Sequence, residues 1–183
     1  LLFGPQTIGG VINSLPPDAP RSPSGFVQAS IGNRSFLNAH LRVGGRGALL
    51  DYTRKQGDGA RENLEHQLDD LNVKYTFRFA ESHTLTLRAN YYTEDSQVTY
   101  SGLTLAEFEN LGARYNPFEN DGFDITRTGV SATHRVEFSD SADLATNLYH
   151  PEFDRDWWRQ SGNSQDGQHG AGAVVWVIDG VSA

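Results

Sequence analysis

Several features are missing from this 183-residue sequence, and each absence excludes a class of protein. Cysteine is absent, which excludes a disulfide framework and thiolate chemistry. No apolar run reaches the roughly eighteen residues that a transmembrane helix requires. Lysine and arginine total 15 against 23 acidic residues, and the net charge of −8 argues against a nucleic-acid partner held by phosphate contacts. Methionine is also absent, so we expect an internal segment of a larger protein.

Signatures of catalysis are missing as well. The six histidines are scattered without the spacing of a zinc site, and the sequence contains no nucleophile elbow, phosphate loop or dinucleotide-binding glycine motif. The acidic stretch "NPFENDGFD" (116–124) lacks the register of a calcium loop and is interpreted as a solvated loop. We therefore predict a protein that is not an enzyme and holds neither a metal nor a cofactor.

The signal that is present is a strict period of two. In residues 70–79 every odd position is apolar or aromatic and every even position is polar or charged. Residues 84–91 repeat the alternation, and residues 127–138 repeat it with His134 as the one polar intruder. This is the periodicity of β-strands. Weaker alternation over 26–31, 37–43, 48–55 and from 144 brings the prediction to about seven strands.

The connections between these strands are of two kinds. Residues 44–47, 80–83 and 139–143 form tight turns, whereas the connections around 33–35, 57–66 and 99–125 are mostly longer and more polar. In an antiparallel meander, alternate connections lie at the same end of the sheet. Short turns at one end and long loops at the other are typical of an outer-membrane β-barrel.

Two architectures fit the alternation. A soluble antiparallel sheet also alternates, but the polar positions here carry many full charges and the apolar positions gather aromatic residues near strand ends, as in membrane-barrel girdles. The pattern favours a transmembrane barrel whose apolar side faces lipid and whose charged side faces an aqueous lumen. A soluble β-rich binding module remains the main alternative, and a barrel-borne envelope enzyme a lesser one.

Three stretches carry a family resemblance. They are "LLFGPQTIGGVIN" (1–13), residues 99–138 with "GLTLAEFENLGARYNPFENDGFD" at their centre, and "FDRDWWRQ" (153–160). Together they resemble the plug-to-barrel region of TonB-dependent outer-membrane receptors, most closely the ferric-citrate type. The resemblance implies a receptor in the bacterial outer membrane that binds and imports a ferric siderophore or ferric citrate. The ferric chelate would be its transported substrate, and a TonB-type protein would supply energy through the plug.

The resemblance also implies a domain organisation. Residues 1–15 would close the plug domain, the proline-rich residues 16–24 would form a linker, and residues 25–160 would form the first part of an up-and-down antiparallel barrel. Residues 161–183 do not continue the family pattern and are interpreted as a divergent tail or an extracellular loop.

The candidate site residues are all charged or aromatic side chains. For ligand binding we predict two residues of the longest loop and two of the tryptophan-containing stretch: Arg114, Tyr115, Arg155 and Arg159. Five cations are predicted to face the lumen: Lys74, Arg78, Arg88, Arg127 and Arg135. Guanidinium groups pair well with the carboxylates of an anionic chelate. Alternatively, Arg88, Arg127 and Arg135 pair with Asp70, Glu94 and Glu137 on neighbouring strands or bind the backbone of the plug.

Overall fold

The structure is a computed structural model that describes residues 16–99 and 101–160, together with the backbone of 174–178. The predicted plug segment, residues 1–15, and most of the tail lie outside the described residues. The fold is all-β with one short helix. The strands are β1 Ser24–Ile31, β2 Leu37–Gly45, β3 Ala48–Gly57, β4 His66–Ala80, β5 His83–Ser96, β6 Gly122–Ser139, β7 Ala142–Gln160 and β8 Val174–Ile178.

The strands form one antiparallel sheet in chain order, so the predicted up-and-down meander is confirmed. About seven strands were expected, and the short β8 adds an eighth within the predicted tail. The sheet is open: β1 and β8 are its edges, and no ladder joins them within the described part of the chain. We find no helix there that is long and apolar enough to cross a membrane.

The two ends of the sheet differ as the connection lengths predict. Two-residue turns at Arg46–Gly47, Glu81–Ser82 and Asp140–Ser141 close one end, which we call the turn end. Arg46 and Gly47 have φ of 52° and 88°, which fits the type I′ hairpin turn that matches strand twist. A Cβ on Gly47 would lie 2.1 Å from the Thr76 carbonyl oxygen, so this position requires glycine. The opposite end, the loop end, carries residues 32–36, 58–65 and 97–121.

The helix α1, Leu105–Leu111, lies in the longest loop, which the alternation pattern treats as irregular. Thr104 and Glu107 form a capping box, in which each side chain accepts a hydrogen bond from the other residue's backbone N–H. Pro151, a possible interruption of β7, is accommodated opposite Gly129 without breaking the strand. Proline is tolerated because, among the described residues, β8 pairs with β7 only from Asp156 onward and no described strand pairs with Pro151 on that side.

The register gives the sheet an apolar face and a polar face. Leu71, Val73, Tyr75 and Phe77 of β4 pair with Tyr91, Ala89, Leu87 and Leu85 of β5, and this apolar face continues through Val130 and Ala132 of β6. The intervening positions form the polar face, which carries Lys74, Arg88 and Asn90.

Burial is inverted relative to a water-soluble sheet. Val73 and Tyr75 on the apolar face are 41% and 45% exposed, whereas Lys74 between them is 7% exposed. Within residues 16–99 and 101–160 the only buried hydrophobic side chain is Leu49, which lies on the polar face beside Lys74. The described chain therefore has no apolar core, and its apolar side chains lie on an uncovered surface.

Candidate functional site

The polar face carries a groove with a volume of about 760 Å³. β3, β4, β5 and β6 position its walls because their registers bring polar residues into level rows across the sheet. Lys74 lies between Leu49 and Arg88 in one row, and Asn72 lies between Asp51 and Asn90 in the next. Four cations and two carboxylates are among the residues that line it: Arg42, Lys74, Arg88, Arg127, Asp51 and Asp70. The groove is thus net positive in a chain whose net charge is −8.

Lys74 is the buried cation of this groove. Its ammonium group pairs with the carboxylate of Asp18 in the predicted linker. We call the part of this linker that precedes β1, residues 16–23, the proline segment. The hydrogen bond and the charge of Lys74 hold the pKa of Asp18 below its ordinary value, and the charge of Arg88 lowers it further. The proline segment thus runs over the polar face and also lines the groove through Pro16 and Pro17.

Arg88 and Arg127 differ from Lys74 because neither has a carboxylate within ion-pair distance among the residues that the structure describes. Arg88 lies directly opposite Lys74, and the guanidinium carbon of Arg127 lies 5.3 Å from the centre of the Tyr92 ring. Both side chains are exposed in the groove. Their guanidinium groups therefore have donors available for an anion that enters it.

Arg42 is neutralised by its neighbours. Its side chain and that of His40 both contact Asp51, with 2.8 Å between His40 Nε2 and the carboxylate oxygen. Arg42 also lies over the Phe26 ring at 5.5 Å. This cluster therefore forms a charge-balanced wall of the groove.

The predicted lumen-facing cations share the polar face but fall into two groups. Lys74, Arg88 and Arg127 surround the groove, whereas Arg78 and Arg135 lie near the turn end. Arg78 is 3.8 Å from Glu137, and Arg135 is 3.4 Å from Asp143. These ion pairs differ from the alternative pairing considered above. Asp70 accepts a hydrogen bond from Asn72 instead, and Glu94 accepts hydrogen bonds from Tyr92 and Ser96.

Arg114 and Tyr115 lie in a loop that is held by buried polar contacts. Asn116 is 1% exposed, and its amide donates to the carbonyl oxygens of Glu62 and Asn63 at 3.0 and 3.3 Å. The side-chain oxygen Oδ1 of Asn116 accepts a hydrogen bond from the Phe118 N–H at 3.1 Å. We call these hydrogen bonds of Asn116 the clasp. The clasp holds Arg114, which is exposed, and Tyr115, which is half-buried, at the loop end, away from the groove.

The remaining pair, Arg155 and Arg159, lies on the loop-end part of β7. Both belong to the polar face by register, and their guanidinium groups lie over the rings of Phe153 at 5.8 Å and Trp157 at 5.6 Å. Trp157 shares this polar face, whereas Trp158 points to the opposite one. Asp121 accepts from the Gln160 N–H at 2.6 Å, which ties the longest loop to the end of this strand.

Sequence reasoning missed two contacts, one in the groove and one on the apolar face. Asp18 was hidden within a proline-rich stretch, and the only available signal was a lone carboxylate among four prolines. His83 and His134, on the apolar face near the turn end, approach to 3.0 Å between ring nitrogens. No group of three or more metal-ligating residues occurs within the described ranges.

Comparison of the chain with protein-family models, with curated proteins and with solved structures gave no match in any of the three.

Proposed function

We propose that this chain is part of a TonB-dependent outer-membrane receptor that binds and imports an anionic ferric chelate, a ferric siderophore or ferric citrate. In this proposal the sheet is the first part of a barrel in the bacterial outer membrane. Its apolar face contacts lipid and its polar face lines the lumen. A plug domain precedes it and engages a TonB-type energy-transducing protein, and transport proceeds through binding and plug rearrangement without covalent chemistry.

The observation that carries the proposal is the inverted burial along β4. A lysine is buried between two apolar residues that are each more than 40% exposed. Exposed apolar surface of this extent is costly in water, at about 25 cal/mol per Å². In contact with acyl chains the same surface carries no such cost, whereas a charged face requires water or paired charges.

The dimensions of the apolar face support a membrane-spanning sheet. In β4 the apolar band of this face runs from Leu71 to Phe79. The row at its loop-end boundary consists of Tyr52, Leu71, Tyr91 and Thr128. The next row on the same face is already polar, with Arg54 and Asp69 paired at 2.9 Å. Nine residues rise about 26–30 Å along a strand and about 20 Å along the membrane normal at a tilt near 45°, close to the apolar band of outer-membrane barrels.

The charge of the groove supports an anionic ligand. Lys74, Arg88 and Arg127 converge on it in an otherwise acidic protein. Ferric citrate and many ferric siderophores present carboxylate or other oxygen anions, which guanidinium groups bind through parallel N–H donors. The neutralised Arg78 and Arg135 pairs are less suited to this role.

The absence of cysteine makes a direct test possible. Single-cysteine variants Val73→Cys and Leu87→Cys on the apolar face, and Asn72→Cys and Asn90→Cys on the polar face, would carry a nitroxide spin label. We expect labels at 73 and 87 in lipid vesicles to be relaxed mainly by oxygen, which concentrates in acyl chains. Labels at 72 and 90 should be relaxed mainly by a water-soluble nickel complex.

Asn72 and Val73 are adjacent in the chain and Asn72 lies opposite Asn90 in the β4–β5 ladder, so these three labels have nearly equal depth. Leu87 lies closer to the turn end, opposite Tyr75. A soluble binding module would stay in the aqueous phase, and the nickel complex would relax labels at 73 and 87 as strongly as labels at 72 and 90. That result would overturn the membrane assignment.

A further inference from the structure

We propose that the proline segment is a built-in competitor for the groove, in which Asp18 occupies the position on Lys74 that a carboxylate of the anionic ligand takes on binding. This inference rests on the proposed function, since it assigns a regulatory step to the same groove. The ligand must displace Asp18 from Lys74, so that binding and release of the proline segment are coupled.

The first reason is the charge balance around Lys74. Its side chain is only 8% exposed, and Arg88 lies directly opposite it in the β4–β5 ladder. Like charges at opposite ladder positions repel, and a buried ammonium requires a counter-charge. The carboxylate of Asp18 supplies this counter-charge, and no other carboxylate lies within ion-pair distance of Lys74 in the part of the chain that is described. An incoming anion meets the same requirement.

The second reason is the asymmetry of the ion pair. Asp18 is 93% exposed on its side chain, in contrast to the buried Lys74. Its carboxylate therefore retains most of its hydration, and little burial is lost when the contact opens. The cations of the groove stay in place because strands β4, β5 and β6 hold them, whereas Asp18 belongs to a segment outside the sheet.

The third reason is the way in which the proline segment approaches the sheet. Gly44 and Gly45 at the end of β2 leave room for it, since a Cβ there would lie 2.8 Å from Pro20 Cδ and 2.8 Å from Pro23 Cα, respectively. Prolines restrict the backbone to extended conformations and reduce the entropy lost on docking. The segment is thus held near the groove at a high effective concentration, while a single charged contact reaches into it.

The consequence for binding follows from population arithmetic. If the proline segment occupies the site for part of the time, the apparent dissociation constant of a ligand is the intrinsic one divided by the open fraction. Removing the charge of Asp18 should raise that fraction and tighten binding of any carboxylate ligand. For one ion pair with an exposed partner we expect a gain of about fivefold.

The test uses the full chain in detergent micelles with citrate as the probe. The variant Asp18→Asn removes the charge and retains the shape, and it poses little risk to folding because the residue is exposed outside the sheet. Asp140→Asn, in the turn between β6 and β7, is the matched control with the same change of charge. A spin label on Ser22→Cys reports the mobility of the proline segment, and calorimetry reports citrate affinity.

We expect citrate to mobilise the label in the otherwise unchanged chain, and Asp18→Asn to mobilise it without citrate and to bind citrate about fivefold more tightly than Asp140→Asn. If Asp18→Asn were the only one of the three proteins to bind citrate, the proposal would also be supported, since the proline segment would then close the groove fully in the other two. Equal citrate affinity in all three proteins would overturn the competitor role and leave the anion-binding function standing. Absence of citrate binding in all three would overturn both.

Discussion

At the scale of single residues, function depends on where charge is neutralised and where it is left available. Asp51 balances the charge of Arg42 and also contacts the His40 ring, and Asp143 balances Arg135. Arg88 and Arg127 have no such partner among the described residues, and the partner of Lys74 belongs to the proline segment. The groove therefore combines two available guanidinium groups with one ammonium group whose counter-ion can leave.

The pH dependence of the proline segment is a prediction at this scale. Lys74 and Arg88, the charged groups that face Asp18, lower its pKa, so the contact contributes fully above the ordinary value of 3.8 and is lost as the pH falls through the lower folded-state pKa. A spin label at Ser22→Cys should thus become mobile only below pH 3.8 and stay unchanged between about pH 5 and 8.

The variant Asp18→Asn serves as the control, since its segment should be mobile at every pH and show no transition. A transition of the label near pH 6–7, where histidine ordinarily titrates at about 6.5, would contradict the role of Asp18 and indicate control by a histidine instead.

At the scale of elements, the loop end is held together by a few buried amides and backbone contacts. Asn116 fastens the longest loop to residues 62–63, and Arg61 donates to the Ser101 carbonyl oxygen at 3.0 Å. The loop of residues 32–36 is joined to the same group because Arg34 donates to the carbonyl oxygens of Gly59 and Ala60. Three loops that are distant in sequence thus form one connected layer at the loop end of the sheet.

Replacement of Asn116 should loosen this layer without unfolding the sheet. Asn116→Ala removes the two hydrogen bonds that its amide donates to the carbonyl oxygens of Glu62 and Asn63, at a local cost of about 1–3 kcal/mol. We expect trypsin to cleave faster after Arg114, two residues away, as followed by mass spectrometry. Asn110→Ala, an exposed helix residue with one local hydrogen bond, is the control and should leave the cleavage rate unchanged. Equal rates in both variants would show that the clasp does not hold the loop.

The elements differ in how well their sequences predict them. Residues 70–79 alternate strictly because the two faces of β4 meet different surroundings, so the strand and its two faces are readable from the chain alone. The helix at 105–111 was missed although Thr104 and Glu107 carry a capping-box signal. It lies in a long loop between strands, where the alternation of apolar and polar residues that marks the strands gives no information. The contact of Asp18 with Lys74 spans 56 positions and depends on how the proline segment lies on the sheet, which no local pattern encodes.

At the scale of the whole molecule, the sheet has two chemically different faces. Strands β4 to β7 are 14 to 19 residues long, more than the roughly 9–11 needed to cross a bilayer, and their loop-end parts carry polar residues on both faces. Asp95, Asp124 and Asp156 form one such polar row across three strands of the otherwise apolar face. In a water-soluble sheet, nothing in the solvent would favour apolar residues confined to a band at one level across the strands.

Depth within this band provides a decisive prediction. Leu87 and Tyr91 lie on the same strand and the same face and are 42% and 43% exposed, but Leu87 is in the middle of the band and Tyr91 at its loop-end boundary. In a bilayer Leu87→Lys should lower the free energy of unfolding by about 2–4 kcal/mol, whereas Tyr91→Lys should cost about 0–1 kcal/mol. Urea titration of each variant in lipid vesicles measures the difference. In water, two equally exposed side chains on one strand should tolerate lysine about equally, within about 0.5 kcal/mol. Equal costs for Leu87→Lys and Tyr91→Lys would therefore mean that the apolar face does not contact lipid, and the receptor proposal would fail with it.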